Sequence, residues 1–115
     1  MKPQIVMQKP TEQIITIITT TDSEKIADYI ASALVEEKLA ACVHIDKIKS
    51  FYRWKGKVCH SKEFRLLIKT LKVNYGKIKK LILDNHNYEL PPIIAFEVTE
   101  AYKDFASWIY NEVTT

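Results

Sequence analysis

The side chains best suited to bind a soft metal ion are few: two cysteines and three histidines. Copper and zinc favour thiolate and imidazole ligands. The candidates are Cys42, His44, Cys59, His60 and His86. Cys42 and His44 stand two apart, and on a β-strand such residues point to the same side, so this pair can chelate. Cys59 and His60 are adjacent, would point to opposite faces, and read as surface residues. The competing reading of Cys42 is a small buried hydrophobe, a common state of free cysteine. The chain has no CxxC, HxxxH or HExxH, so no closed tetrahedral site is expected within one subunit. A site assembled between subunits is compatible with this inventory.

A second group is Lys69, His86, Tyr88 and Glu89. The element ends that carry them can meet at a subunit cleft, where ammonium, imidazole, phenol and carboxylate together can bind a small polar ligand or a cation. Alternatively they form a structural polar network at a subunit seam. Catalysis finds little support, because no nucleophile–base spacing or glycine-rich phosphate loop is visible. Thr19 to Asp22 precede a helix and could hold an anion, but that feature is generic. The chain therefore reads as a non-enzyme.

The elements that must position these groups come from pattern. The chain has 115 residues, 47% hydrophobic and 27% charged, which suits one ordinary globular domain. Residues 1–12 read as a flexible tail and 13–113 as the domain. The net charge of +3 is too weak alone to imply nucleic acid. Its distribution is uneven. Arg65, Lys69, Lys72, Lys77, Lys79 and Lys80 lie in a stretch without acid, whereas six acids and only Lys103 follow from Asp84 onward. The start is polar and lacks the apolar stretch of a secretory signal. No apolar run approaches the ~20 residues needed to span a bilayer. Two cysteines are too few for a disulfide scaffold. The cytoplasm is the expected compartment, with no membrane partner.

Ile14-Ile15-Thr16-Ile17-Ile18-Thr19 is β-branched and apolar on both faces, as a buried central strand should be. Thr21 and Glu24 fit a capping box, although Asp22 or Ser23 could cap instead. A helix should follow and end near Lys38. Ala41, Val43 and Ile45 then alternate with Cys42, His44 and Asp46. The parity slips afterwards, which predicts a bulge near Asp46-Lys47. Lys55-Gly56-Lys57 reads as a turn, and Val58 to Thr70 as a second long strand. With the turn centred on Gly56, Cys59 faces Arg53 and Cys42 faces Thr70, so the thiols cannot pair within one chain. A hairpin this long should project beyond a small domain. Its outer part carries Phe51, Tyr52 and Trp54, which predicts a partner subunit for them. Helix two is expected over Lys72–Asn85, strand four over Ile93–Val98, and a short helix from Lys103. The order is βαββαβ with a C-terminal helix, the ferredoxin-like α+β pattern.

Four stretches carry a resemblance. They are Glu37-Lys38-Leu39-Ala40-Ala41-Cys42-Val43, Tyr52-Arg53-Trp54-Lys55-Gly56-Lys57, Leu67-Ile68-Lys69-Thr70, and His86-Asn87-Tyr88-Glu89-Leu90-Pro91 followed by Ile93-Ile94. In this order and spacing they resemble the CutA family over about residues 12 to 110. The resemblance implies a ferredoxin-like subunit and a homotrimer sewn together by the long hairpins. It also implies likeness in architecture to PII signalling proteins, and tolerance of copper and other divalent cations. It makes Cys42 the better ligand candidate. Family members often read His-His-Pro-Tyr where this chain has Asn85-His86-Asn87-Tyr88, and some carry a cysteine near Ile18 and Thr19.

The expectation is a trimeric cytoplasmic protein that binds copper or another divalent cation, with Cys42, His86 and His44 as candidate ligands. No cofactor is required. The alternative is a PII-like trimer that binds a small molecule or scaffolds partners without a physiological metal. An RNA-binding RRM is the rival class, but Glu63-Phe64-Arg65-Leu66-Leu67-Ile68-Lys69 lacks its Gly-Phe-Gly/Ala-Phe pattern, so no nucleic-acid partner is expected.

Overall fold

In a computed structural model, residues 12–114 are described. The expected tail therefore lies, apart from Glu12, outside the described residues. The order is β1 (Ile14–Thr21), α1 (Glu24–Glu36), β2 (Cys42–Trp54), β3 (Lys57–Leu71), a single 3-10 turn (Lys72–Asn74), α2 (Tyr75–Asn85), β4 (Ile93–Glu97) and α3 (Lys103–Glu112). One sheet of order β2-β3-β1-β4 is antiparallel at every pairing. This is the ferredoxin-like α+β arrangement expected from the pattern, with the long hairpin and the C-terminal helix.

The apolar character of both faces of β1 has a direct cause. Ile15 and Ile17, with Leu66 and Ile68, pack under Ala27, Ile30 and Leu34 of α1 and Ile78 and Ile82 of α2. Ile14 points the other way and, with Leu71, packs against Ile109 and Val113 at the end of the chain. Successive strand residues alternate faces, so one β-branched run serves two clusters. Each fully buried isoleucine or leucine contributes roughly 1.5–3 kcal/mol.

The first helix is capped by Ser23, whose Oγ accepts the Ile26 N–H at 3.2 Å. The capping box on Thr21 does not form. Thr21 is still paired in β1, opposite Phe64, so the helix begins later. At the other end the chain reverses through Lys38 at φ 61°, and the Leu39 N–H reaches back to Leu34 O at 3.0 Å. This left-handed residue after the helix usually is glycine.

The hairpin departs from expectation twice. The register places Cys42 opposite Lys69 and Cys59 opposite Tyr52, one residue from the expected partners Thr70 and Arg53. Lys55 and Gly56 both have positive φ, 50° and 80°. That pair makes the two-residue turn whose twist suits a hairpin, and its centre falls between the two residues rather than on Gly56. The expected bulge near Asp46-Lys47 is also absent: pairing runs uninterrupted from Cys42 to Trp54. The parity slip has another origin. β1 stops at Thr21, opposite Phe64, so the outer ribbon of β2 and β3 extends beyond β1. Its apolar residues Ile48, Tyr52 and Trp54 follow Cys42 and His44 onto the face turned away from α1 and α2, whereas Val43 faces the core. The ribbon accounts for the elongated outline of 58 × 25 × 21 Å. Among the described residues, no helix is long and apolar enough to cross a membrane.

Candidate functional site

Where the ribbon leaves the sheet, β3 carries Glu63, which is only 8% exposed. Three hydroxyls converge on its carboxylate. Ser50 on β2 donates to Oε1 at 2.6 Å, and Thr20 on β1 donates to Oε2 at 3.1 Å. Tyr88, from the loop between α2 and β4, donates to Oε2 at 2.5 Å. Burial first, then the hydrogen bond and charge of Glu63, push the Tyr88 phenol well above its ordinary range. Tyr88 therefore stays a hydrogen donor throughout the neutral range.

The loop that delivers Tyr88 is held by His86 and Asn87. His86 Nδ1 accepts the Tyr88 backbone N–H at 3.0 Å, and its Nε2 lies 2.8 Å from Thr20 O. A backbone N–H can only donate and a carbonyl can only accept. The ring is thereby fixed as the neutral tautomer with its proton on Nε2. Asn87 accepts from Thr21 Oγ1 at 2.6 Å and donates to Asp22 at 2.7 Å. The His86 ring also packs on Tyr88, centroids 4.7 Å apart. Both β1 and the start of α1 thus grip this loop.

Beside the carboxylate lies a cleft of about 640 Å³, lined by Phe51, Tyr52, Trp54, Tyr88, Glu89 and Leu90 among others. Among the described residues, no lysine, arginine or histidine lines it. Glu89 lines this cleft. His86 is adjacent, with both ring nitrogens engaged by backbone groups.

The other expected ligands lie elsewhere. Cys42 Sγ and His44 Nε2 approach to 3.4 Å on the sheet face away from α1 and α2. Within one subunit Lys69 is paired with Cys42 and lies apart from Tyr88 and Glu89. It lies six residues along β3 from Glu63, roughly 20 Å at ~3.3 Å per residue. Cys42 and Cys59 are both free. His60 stacks on Phe51, centroids 5.6 Å apart. Among the described residues, no three His, Cys, Asp or Glu side chains converge to hold a metal ion. Phe51 is 69% and Trp54 37% exposed on the ribbon, and Tyr52 is exposed beside them.

Glu63, Thr20 and Ser50 were not singled out from the sequence. A signal existed for the first: Glu63 is the single acid between Asp46 and Asp84, and it falls inside a strand. The hydroxyl residues carried no such mark.

The family model described as CutA1 divalent ion tolerance protein matches residues 15–112. The divalent-cation tolerance protein CutA of Thermus thermophilus is 39% identical over 94 residues, 81% of this chain and 91% of that protein. Its counterpart from Archaeoglobus fulgidus is 38% identical over 97 residues, 84% of this chain and 95% of that protein. The solved A. fulgidus structure, described as a periplasmic divalent cation tolerance protein, superposes with a TM-score of 0.85 at 36% identity, covering 88% of this chain and 99% of that one. The match spans every element from β1 to α3, and on it the chain belongs to the CutA1 divalent ion tolerance family.

Proposed function

We propose that this chain works in divalent-cation tolerance as a non-enzymatic homotrimer that binds copper or a similar ion. The observation that carries the metal reading is the Cys42–His44 pair, a thiol and an imidazole 3.4 Å apart on an accessible sheet face. These are the donors that copper and zinc prefer. Two donors do not complete a site, so further ligands come from a neighbouring copy or from water. The same sheet face supports the trimer. Ile94 and Phe96 on β4 are more than half exposed, and Tyr52 and Trp54 extend this apolar surface along the ribbon. Large apolar side chains exposed on one sheet face mark an interaction site. Phe51, Tyr52 and Trp54 are the proposed anchors between subunits. His86 acts in this account by positioning the Tyr88 loop.

Calorimetric titration of the reduced protein with copper and zinc, with molecular mass measured on the same sample, tests both parts. Saturable binding by a trimer supports the proposal. A trimer that binds neither ion removes the metal reading and keeps the assembly. The cytoplasm is the proposed compartment, and since the A. fulgidus relative is described as periplasmic, cell fractionation tests it.

A second reading has its own observation. The cleft beside Glu63 is large enough for a small organic molecule and carries few, well-placed polar groups. It supports a PII-like ligand-binding trimer. Ligand-induced change in Trp54 fluorescence without any metal tests that reading.

A further inference from the structure

The sheet face turned away from α1 and α2 leaves one buried acid and one half-buried base without a partner in the subunit. Strand alternation puts Asp46 of β2 and Lys57, Glu63, Arg65 and Lys69 of β3 on this face, together with Ile94 and Phe96 of β4. Asp46 and Arg65 pair with each other at 2.8 Å. Glu63 receives hydroxyl hydrogens from Ser50, Thr20 and Tyr88, and it belongs to none of the ion pairs found among the described residues. Hydroxyl donors solvate a carboxylate but leave its charge uncancelled, and buried charges are ordinarily paired. Lys69 is half-buried, and its ammonium enters no ion pair or hydrogen bond among the described residues.

The two charges cannot meet within one chain, because six residues of extended β3 hold them roughly 20 Å apart at ~3.3 Å per residue. Assembly makes both more costly to leave alone. Lys69 lies in one cross-strand row with Thr16 and Phe96, so a neighbour that covers Phe96 also covers Lys69. Glu63 borders the cleft walled by Tyr52 and Trp54, the side from which the proposed trimer brings in a neighbouring copy. A carboxylate offers about four lone-pair directions, so one acceptor site stays open after three hydroxyl bonds. In a cyclic trimer each copy offers its acid to one neighbour and its base to the other, so every leftover charge finds a partner. Lys57, the other base of this face without an ion pair, stands exposed at the ribbon turn and carries less of this penalty.

We propose that Glu63 of each subunit forms an ion pair with the partner subunit's Lys69, so that the trimer supplies the counter-charge each subunit lacks. The proposal deepens the trimeric reading and rests on it. It needs no bound metal.

The test uses the full, metal-free chain. Light and isotope-labelled trimers are mixed, and native mass spectrometry follows the exchange of subunits between them. Lys69→Met and Glu63→Gln should each speed exchange at least about tenfold, because losing one partner of a desolvated charge pair acts on dissociation. The double variant should exchange no faster than the faster single, since it leaves neither charge unpaired. Lys69→Arg, which keeps the charge, should exchange more slowly than Lys69→Met. Circular dichroism establishes that the variants fold. Effects that add in the double variant, or Lys69→Met trimers that exchange at the wild-type rate, overturn the pair while the trimer stands. Lys57→Met coupling to Glu63→Gln in place of Lys69→Met moves the counter-charge to the ribbon turn and also overturns it. A wild-type chain that is monomeric removes the trimer, and the pair with it.

Discussion

Tyr88 donates its phenol hydrogen to Glu63 at 2.5 Å, tying the loop after α2 to the strand that returns from the protruding ribbon. The bond joins residues 25 positions apart and closes one wall of the cleft. Removing it in Tyr88→Phe should cost about 1–3 kcal/mol, since a charged acceptor loses one donor. The pH dependence follows from the raised phenol. In the unfolded chain Tyr88 ionises near its ordinary value, while in the folded chain it stays protonated to higher pH. Its contribution is fully present below that ordinary value and is lost as pH rises above it. Urea unfolding at neutral and at strongly alkaline pH should therefore show a steeper alkaline loss in wild type than in Tyr88→Phe. Equal losses would show that the phenol is not held in its neutral form.

Asp46 and Arg65 form a two-pronged pair across the hairpin, at 2.8 and 3.2 Å. The Arg65 hydrogen bonds hold the Asp46 carboxyl below its ordinary value. Both groups are well exposed, so salt screens the pair and its effect on stability is small. The lowered carboxyl contributes above the ordinary value and loses that contribution as pH falls through the lowered one. Carboxyl-carbon NMR should show Asp46 titrating at higher pH in Arg65→Ala than in wild type. An unchanged titration would remove the pair from solution.

Trp54→Glu places a charge on the apolar face of the ribbon. It should dissociate the proposed trimer in sedimentation velocity while leaving the subunit's secondary structure in place. Ile17→Ala, in the core between sheet and helices, should instead cost about 2–5 kcal/mol of subunit stability through the cavity it leaves. A Trp54→Glu protein that remains trimeric would take this anchor out of the interface.

Lys38 holds a left-handed conformation that costs a side-chain-bearing residue about 1–2 kcal/mol. Glycine removes that strain but adds unfolded-state entropy, so Lys38→Gly should gain a net ~0.5–1 kcal/mol in denaturant unfolding. A loss of stability would mean that the Lys38 side chain contributes contacts beyond its backbone.

The fold was legible because its signals are local. The β-branched run from Ile14, the alternation from Ala41 and the Lys55-Gly56-Lys57 turn all lie within a few residues of what they specify. The false bulge arose where this locality fails. Ile48, Tyr52 and Trp54 lie on a ribbon beyond the subunit's own core, so their parity does not report that core. The one-residue register error came from backbone angles, since Lys55 at positive φ shifts the turn centre without changing the letters. The site was half legible. Cys42 and His44 are two letters apart and could be paired by strand geometry. Glu63 draws its partners from positions 20, 50 and 88, which only the sheet order and the loop after α2 bring together. Lys69 lies six residues along β3 from Glu63, so within one subunit it does not reach Tyr88, and its expected meeting with Tyr88 and Glu89 is one between subunits.

The central claim is that Cys42 and His44 bind a soft divalent ion in a trimer. Cobalt is its most direct probe, because a cobalt–thiolate bond gives a charge-transfer absorption that oxygen ligands do not. The account predicts that reduced protein titrated with cobalt develops this band to saturation. Cys42→Ser should abolish it, His44→Ala should weaken it, and Cys59→Ser should leave it intact. A band that survives Cys42→Ser, or no band from an intact trimer, would contradict the account.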